Sequence, residues 1–223
     1  MSSRASEVVS ALEAAFGPQH WWPAETPFEV CVGAILTQNT AWGNVERAIA
    51  NLKAAGAMTP AAVADVPLKR LEELITPAGT FRIKAKRLHR FCRWLIDEYG
   101  GDLDRLFDRS AESLRETLLE IPGIGPETAD SITLYAGRKP TMPGSAYAHR
   151  ILARHGWIDW ESRYDEVRDW FMDGLPREEQ LFNQAHALLV RTGKDHCRTK
   201  PRCEECPLRP MLPASGPVER PRC

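Results

Sequence analysis

The segment that most constrains this chain is LLEIPGIGPETADSITLYA, residues 118–136. An apolar run with helical spacing ends at Ile121, the chain passes through PGIG, and a second helical pattern begins at Pro126. Proline suits the first position of a helix because its missing N–H would have no partner there. Two glycines one residue apart permit positive φ values and a close approach of the backbone to a ligand. The segment therefore predicts a helix, a tight hairpin and a second helix.

The hairpin has the chemical properties of a phosphate site. Gly123, Ile124 and Gly125 directly precede the second helix, and Thr128 lies in its first turn. The start of a helix carries unpaired N–H groups and the positive end of the helix dipole, both of which attract phosphate. We predict that these four residues bind a phosphate of a nucleic-acid backbone. A G-x-G turn alone is more often only a tight turn, so the rest of the chain has to support this function.

The composition is that of an ordinary soluble globular protein. Its 223 residues, 43% of them hydrophobic, suffice for one large domain or two small ones. The net charge of -1 gives no general attraction to phosphates, so a nucleic-acid interface requires local clusters of basic residues. The sequence shows no apolar run of membrane-spanning length and no signal-peptide pattern. We expect a cytoplasmic protein, associated with the nucleoid in a prokaryote, with no membrane partner.

One such basic cluster runs from Arg82 to Arg93, within GTFRIKAKRLHRFCRWLIDEYGG. It contains six Lys and Arg residues and no acidic residue. A basic helix face is often only a solvated surface. Beside a phosphate-binding hairpin it is predicted to face DNA, with Lys84, Lys86 and Arg87 among its contacts.

Two further segments have side chains suited to contact with a base. Trp21 and Trp22 either fill the edge of a core or stack on a base, because aromatic faces bind bases of any identity. The polar stretch TQNT interrupts two helical patterns, and its Gln38 is either a capping group or a ligand contact.

These motifs, together with GSAYAHRILARHG and AHALLVRTGK, resemble the endonuclease III superfamily of helix-hairpin-helix DNA repair glycosylases. The resemblance runs from about Trp21 to Cys206. It implies an all-α fold with two domains: a helical barrel over residues 28–136 that ends in the hairpin, and a second helical domain from residues 1–27 and 137–223. It also implies a monomer that binds double-stranded DNA containing a damaged base.

The resemblance assigns roles to several residues. Gln38 would fill the hole left by an extruded base, and Thr80 would occupy the position of a wedge residue. The strings WWP, LTQNT and KAKRL look like the 3-methyladenine glycosylases of the endonuclease III group. That likeness implies an alkylated purine as the substrate, with Trp21, Trp22 and Glu127 shaping the base pocket.

Two positions carry catalysis in this superfamily. Glu127 stands where members that also cleave the strand have a lysine, and a carboxylate cannot form the Schiff base of that reaction. We therefore predict no lysine-driven strand cleavage. Ser145 aligns with the family's aspartate, and a serine supplies neither a full charge nor a competent base. Either the protein is a poor glycosylase, or another acid such as Glu127 or Asp130 substitutes.

Three cysteines near the C-terminus are spaced C-x5-C-x2-C: Cys197, Cys203 and Cys206. The family's iron-sulfur loop has a fourth cysteine where this chain has Leu212. Cys223 is the expected replacement, because the loop of sixteen residues between Cys206 and Cys223 can fold back at modest entropic cost. Four thiolates suit a four-iron four-sulfur cluster, which the resemblance favours, or zinc. His196 is an alternative ligand, whereas Cys31 and Cys92 are expected to be buried.

The sequence therefore favours a DNA base-excision repair glycosylase that hydrolyses the N-glycosidic bond of a damaged base, with alkylated purines preferred. The alternative is a DNA-damage binding protein of glycosylase descent with weak or no catalysis, which Ser145 supports. Excision assays on a panel of lesions separate the two.

Overall fold

A computed structural model describes residues 3–221, and all regular secondary structure in this range is helical, which confirms the predicted all-α class. A π-helical turn covers Ile132–Ala136, and 3-10 turns cover Thr76–Ala78 and Arg209–Met211. Membrane-spanning length and apolarity are not combined in any helix of the described range. The α-helices are α1 (Arg4–Phe16), α2 (Pro27–Leu36), α3 (Trp42–Ala54), α4 (Pro60–Asp65), α5 (Leu68–Leu74), α6 (Phe81–Tyr99), α7 (Leu103–Phe107), α8 (Ala111–Leu119), α9 (Pro126–Ser131), α10 (Ala146–Arg154), α11 (Tyr164–Gly174) and α12 (Glu179–Asp195).

Contacts between Cα atoms divide the chain into two compact units. The first, called here the hairpin unit, is Trp22–Lys139 and contains α2 to α9. The second, called here the cysteine unit, combines the chain up to Trp21 with the chain from Pro140 onward. The sequence placed the corresponding boundaries at residues 28 and 136.

Helix α2 is a central element of the hairpin unit. Its sequence PFEVCVGAIL is almost entirely apolar, and every residue after Pro27 is buried. Thr26 begins the helix by accepting a hydrogen bond from the Glu29 N–H at 3.1 Å, and Pro27 occupies the first helical position. The helix packs against α3, α6 and the π-helical turn. Cys31, on α2, and Cys92, on α6, are fully buried as predicted, and burial raises the pKa of both thiols.

Helix α6 presents one apolar face to the core of the hairpin unit and contacts α4, α5 and α2. It begins after Gly79 and Thr80, which both have positive φ values, of 66° and 37°. A left-handed conformation is uncommon for threonine, so packing on both sides has to hold this turn in place.

The cysteine unit is built around α12, which contacts α10 and α1. The close approach of α10 to α12 requires a glycine at position 193, because a Cβ there would lie 2.3 Å from Cδ1 of Tyr147. The described residues that follow α12 form mainly turns and irregular backbone and include Cys197, Cys203 and Cys206.

Candidate functional site

The predicted hairpin joins α8 to α9. Gly123 has a φ of +103°, a conformation that glycine adopts without steric cost. The N–H of Ile124 donates to the Ile121 carbonyl at 2.9 Å, and the Ile124 side chain is buried. Gly125 then begins α9 in an extended conformation, with Pro126 at the first helical position. Ile124 thus anchors the turn, while Gly123 and Gly125 supply its more accessible backbone.

Arg87 packs directly on this turn. A Cβ at Gly123 would lie 2.6 Å from Cγ and 3.0 Å from Cδ of Arg87. The glycine is therefore required for two reasons, its positive φ and the aliphatic part of the arginine side chain that fills the space beside it.

Gln38 reaches the same turn from the loop between α2 and α3. Its Nε2 donates to Oγ1 of Thr128 at 2.9 Å and to the Gly123 carbonyl at 3.3 Å. Its Oε1 accepts a hydrogen bond from Nη1 of Arg87. Gln38, Arg87 and the hairpin, which the sequence singled out separately, therefore form one hydrogen-bonded cluster within the hairpin unit.

Lys84 does not have the position expected of a phosphate contact. It is 1% exposed, and its Nζ donates to the carbonyls of Leu36 at 2.8 Å and Ala78 at 2.7 Å. Desolvation, followed by the nearby charge of Arg87, lowers the pKa of this amine. The prediction that Lys84 contacts DNA is therefore corrected, because its donors are directed into the protein.

The remaining members of the basic cluster differ in their surroundings. Lys86 is exposed on α6, and Thr80 is exposed at the start of this helix. Arg90 is exposed as well, but its Nη1 donates to the Pro122 carbonyl of the hairpin at 2.8 Å. Only part of the basic run is thus a simple solvated surface.

Glu127 lies on the first turn of α9 and is exposed. Desolvation by surrounding protein atoms, and then the negative charge of Asp130, raise the pKa of its carboxyl group. Asp130 is fully buried and forms an ion pair with Nε of Arg115 at 3.1 Å. Of the two acids considered as substitutes for the family aspartate, Glu127 is the accessible one.

An aromatic cluster lies on the hairpin unit and involves one of the two predicted tryptophans. The Trp22 ring is 5.0 Å from Trp42, edge to face, and 5.0 Å from Tyr135. It also packs closely against α2, since a Cβ at Gly33 would be 3.1 Å from Cζ2 of Trp22. Trp21 belongs to the cysteine unit, where Nζ of Lys194 is 5.9 Å from the centre of its ring.

Ser145 occupies a structural position at the start of α10. It is 2% exposed, and its Oγ accepts a hydrogen bond from the Ala148 N–H at 3.3 Å. Its own N–H donates to the Pro143 carbonyl at 2.9 Å. Ser145 therefore caps a helix, a role that aspartate fills equally well.

Three cysteine thiols line one pocket of the cysteine unit: Cys197, Cys203 and Cys206. Leu212, where the sequence resemblance predicts the family's fourth cysteine, lines the same pocket, as do His196 and Arg154. Nη1 of Arg154 lies 3.3 Å from Sγ of Cys197. In residues 3–221 no three His, Cys, Asp or Glu side chains are grouped closely enough to hold a metal ion. Cys223 lies outside the described residues.

Comparison with known proteins decides the family. Residues 32–177 match the family described as HhH-GPD superfamily base excision DNA repair protein. The chain belongs to this superfamily. A Methanocaldococcus jannaschii protein provisionally assigned as a DNA repair glycosylase is 43% identical over 87% of this chain and 89% of its own length.

Two solved structures share the fold. An endonuclease III–DNA complex superposes with a TM-score of 0.80 at 26% identity, covering 92% of each chain. The Helicobacter pylori 3-methyladenine DNA glycosylase bound to 1,N6-ethenoadenine gives 0.76 at 28% identity, covering 85% of this chain and 97% of that chain. The protein is thus a DNA repair glycosylase of the endonuclease III and HhH-GPD family.

Two members of the aromatic cluster of this HhH-GPD protein were not predicted from the sequence. Trp42 and Tyr135 are far from Trp22 along the chain, and no local pattern connects them. Tyr135 lies on the π-helical turn after α9, a type of irregularity that often marks functional positions. The burial of Lys84 was predictable from the sequence, because this residue lies at the spacing of a buried helix face. It precedes Leu88, Phe91 and Leu95 by four, seven and eleven residues.

Proposed function

We propose that this HhH-GPD protein is a monofunctional glycosylase that removes an alkylated purine from double-stranded DNA without lysine-based strand cleavage, and that it acts as a monomer. The observation that carries this proposal is the accessible Glu127 carboxyl group on the first turn of the hairpin helix. The sequence resemblance predicts that strand-cleaving members have a lysine at this position. Lys84 does not replace that lysine, because its amine is buried and bonded to two carbonyls.

Glu127 is proposed as the general base of the reaction. Its carboxylate accepts a proton from a water molecule while the water oxygen bonds to C1′ of the sugar. The C1′–N bond breaks, and its electron pair goes to the departing base. Because the pKa of Glu127 is raised, it lies closer to neutral pH, and a general base is most efficient when its pKa is near the working pH.

The preference for alkylated purines is supported by the chemistry of the leaving group. A purine alkylated on a ring nitrogen can carry a positive charge in the nucleoside and then leaves as a neutral base without being protonated first. Such a substrate demands less of the protein, which suits a chain with Ser145 at the family's aspartate position.

The aromatic cluster is proposed as the surface that binds this base. The faces of Trp22 and Trp42 attract cations through the ring quadrupole, which favours a positively charged purine over a neutral pyrimidine. The similarity to a 3-methyladenine glycosylase solved with 1,N6-ethenoadenine supports the same substrate class.

DNA binding is proposed to involve the hairpin, the Gln38 loop and the exposed part of α6. Gly123 and Gly125 form the accessible hairpin side of this surface, and Lys86 supplies an exposed cation. Thr128, predicted as a further contact, is buried and bonds to Gln38, so it would act through Gln38. Gln38 is proposed to leave its partners on the hairpin and fill the hole left by the extruded base, and Thr80 would lie at the wedge position.

We further propose that Cys197, Cys203, Cys206 and Cys223 hold a four-iron four-sulfur cluster, with zinc as the alternative. The three described thiols share a pocket that Arg154 and Arg209 also line, and such cations suit an anionic cluster. Pro217 lines this pocket, and the Val218 N–H donates to the Arg154 carbonyl at 2.8 Å. The chain therefore returns to the pocket shortly before Cys223. The cluster would serve as a structural staple.

The function is tested by base release from duplexes that contain 3-methyladenine, 1,N6-ethenoadenine, uracil or thymine mismatched with guanine. We expect release of the alkylated purines by the wild type and a strong loss in Glu127→Gln. Binding to damaged duplex without release of any base would instead support the damage-binding function. Covalent trapping with borohydride that is lost on replacement of a lysine would contradict the monofunctional assignment.

The cofactor is tested on the purified full-length protein. A broad absorbance near 400 nm with bound iron supports the cluster, and its loss in Cys223→Ser supports the fourth ligand. A colourless protein with stoichiometric zinc would contradict the cluster. If Cys223→Ser retains full absorbance while His196→Ala loses it, His196 is the fourth ligand.

A further inference from the structure

We propose that Lys84, Arg87 and Arg90 of α6 form an internal brace that holds the DNA-binding loops in position, rather than a row of phosphate contacts. This inference rests on the proposed DNA-binding function. It makes the three residues positioning residues, which act through the loops that they bind.

The brace begins at Lys84, which joins two loops at once. Its amine donates one hydrogen bond to the carbonyl of Leu36, the last residue of α2 before the Gln38 loop. It donates another to the carbonyl of Ala78, which precedes the Gly79–Thr80 turn. Both loops contain a non-glycine residue with positive φ, Asn39 at 53° and Thr80 at 37°. Conformations of this kind persist only where the surroundings hold them, and the buried amine supplies a shared anchor.

Arg87 follows one helical turn later and connects the Gln38 loop to the hairpin. Its Nη1 donates to Oε1 of Gln38, and its aliphatic part fills the space beside Gly123. Residues three apart on a helix are neighbours, so Arg87 continues the side of α6 on which Lys84 lies.

Arg90, a further turn along α6, binds the hairpin itself. Its Nη1 donates to the Pro122 carbonyl at 2.8 Å, immediately before Gly123. The three cationic side chains thus donate hydrogen bonds to backbone carbonyls and to the Gln38 amide oxygen. These acceptors lie in or beside three separate loops. A guanidinium group that binds a loop in this way fixes the position of the loop through directional hydrogen bonds, in addition to supplying a positive charge.

The brace and a row of phosphate contacts predict different salt dependences. Each phosphate contact on B-DNA contributes about 0.9 to the slope of log K against log salt concentration. Removing a phosphate contact makes the slope shallower by about that amount, whereas loosening a loop weakens binding by the same factor at every salt concentration.

The test uses Arg87→Met, which keeps the aliphatic packing beside Gly123 but removes the donors to Gln38, and Arg90→Met, which removes the donors to Pro122. The matched control is Lys86→Gln, which neutralises an exposed cation on the same helix. Two quantities are measured in the full-length protein: the salt slope of duplex binding, and amide hydrogen exchange over residues 36–40 and 121–125 without DNA.

We expect both variants to bind undamaged duplex, in which no base is extruded and Gln38 keeps its partners, roughly fivefold more weakly with an unchanged salt slope. We also expect faster exchange over residues 36–40 in Arg87→Met and over residues 121–125 in Arg90→Met, and no change of exchange in Lys86→Gln. A slope shallower by about 0.9 in either variant, or exchange equal to that of the wild type, would overturn the brace. If the wild type itself fails to bind duplex DNA, the proposed function fails, while the exchange measurements still decide whether the brace exists.

Discussion

Nε2 of Gln38 donates a hydrogen bond of 2.9 Å to Oγ1 of Thr128, and this bond joins the loop after α2 to the first turn of α9. The amide that the sequence suggests for insertion into DNA is therefore bound to the hairpin in the free protein. Insertion would require this bond to break, so the affinity for damaged DNA depends on how tightly the hairpin holds Gln38.

Thr128→Val tests this relationship, because valine has nearly the shape of threonine but accepts no hydrogen bond. Thr128 is buried, so we expect the free energy of unfolding to fall by about 1 kcal/mol in urea denaturation. Thr128→Ser keeps the hydroxyl and is the control for hydrogen bonding. A loss in Thr128→Ser with none in Thr128→Val would show that side-chain packing, and not the bond to Gln38, stabilises this turn.

Lys84→Met should destabilise the protein by about 2 kcal/mol, because the buried carbonyls of Leu36 and Ala78 lose their charged donor. Relief of the desolvation of the ammonium group offsets part of this loss. Lys86→Met, at an exposed position two residues away, should change the stability by less than about 0.5 kcal/mol. Similar stabilities of the two variants in urea denaturation would contradict the structural role of Lys84.

Glu127→Gln should lower base release by roughly 10²- to 10⁴-fold without loss of stability. A carboxyl group whose pKa is raised on folding opposes folding once the pH exceeds its ordinary pKa, because the unfolded chain ionises more readily. Glutamine removes this effect, so the variant should be at least as stable as the wild type at pH 7. A matching drop in activity and thermal stability would assign Glu127 to the fold and not to the reaction.

Ser145→Asp should keep the helix cap, since aspartate caps a helix as well as serine does. The carboxylate is larger and charged at a buried position, so we expect the free energy of unfolding to fall by about 1–3 kcal/mol. If position 145 has the catalytic role of the family's aspartate, the variant should release bases at least about tenfold faster. The measurement is single-turnover release from the same duplexes, with Ser145→Asn as the uncharged control. An equal rate in all three proteins would show that catalysis does not use this position.

His186 makes the stability depend on pH. It is buried in the cysteine unit, and desolvation lowers its pKa to about 4. The unfolded chain then binds a proton that the folded chain excludes, so stability rises with pH between about 4 and 6.5. We expect a loss of about 2 kcal/mol between pH 7 and pH 5, measured by urea denaturation. His186→Phe should remove this loss, and an unchanged pH dependence in the variant would assign it to other groups.

The sequence predicted the hairpin and the helical class because both depend on local patterns, such as the two glycines before Pro126 and the helical spacing of apolar residues. The roles of Lys84 and Lys86 were not separated, although they lie two residues apart. Both are basic and lie on one helix, and only the packing of α6 on the ends of α2 and the Ala78 turn decides which amine is buried.

The aromatic cluster illustrates a second limit. Trp22 was chosen with Trp21 because the two are adjacent in sequence, whereas its ring neighbours are Trp42 and Tyr135. Contacts between distant segments depend on the tertiary fold, and no periodicity in the chain encodes them.

The packing of Arg87 against Gly123 also determines the order in which these two residues can be substituted. A methyl group at position 123 meets the arginine side chain before any other atom, and it also meets the strain of a φ of +103°. Shortening the residue at position 87 relieves only the first of these. In a library that varies both positions, alanine at position 123 should be recovered only together with a small residue at position 87. Substitution at position 123 would therefore have to follow substitution at position 87.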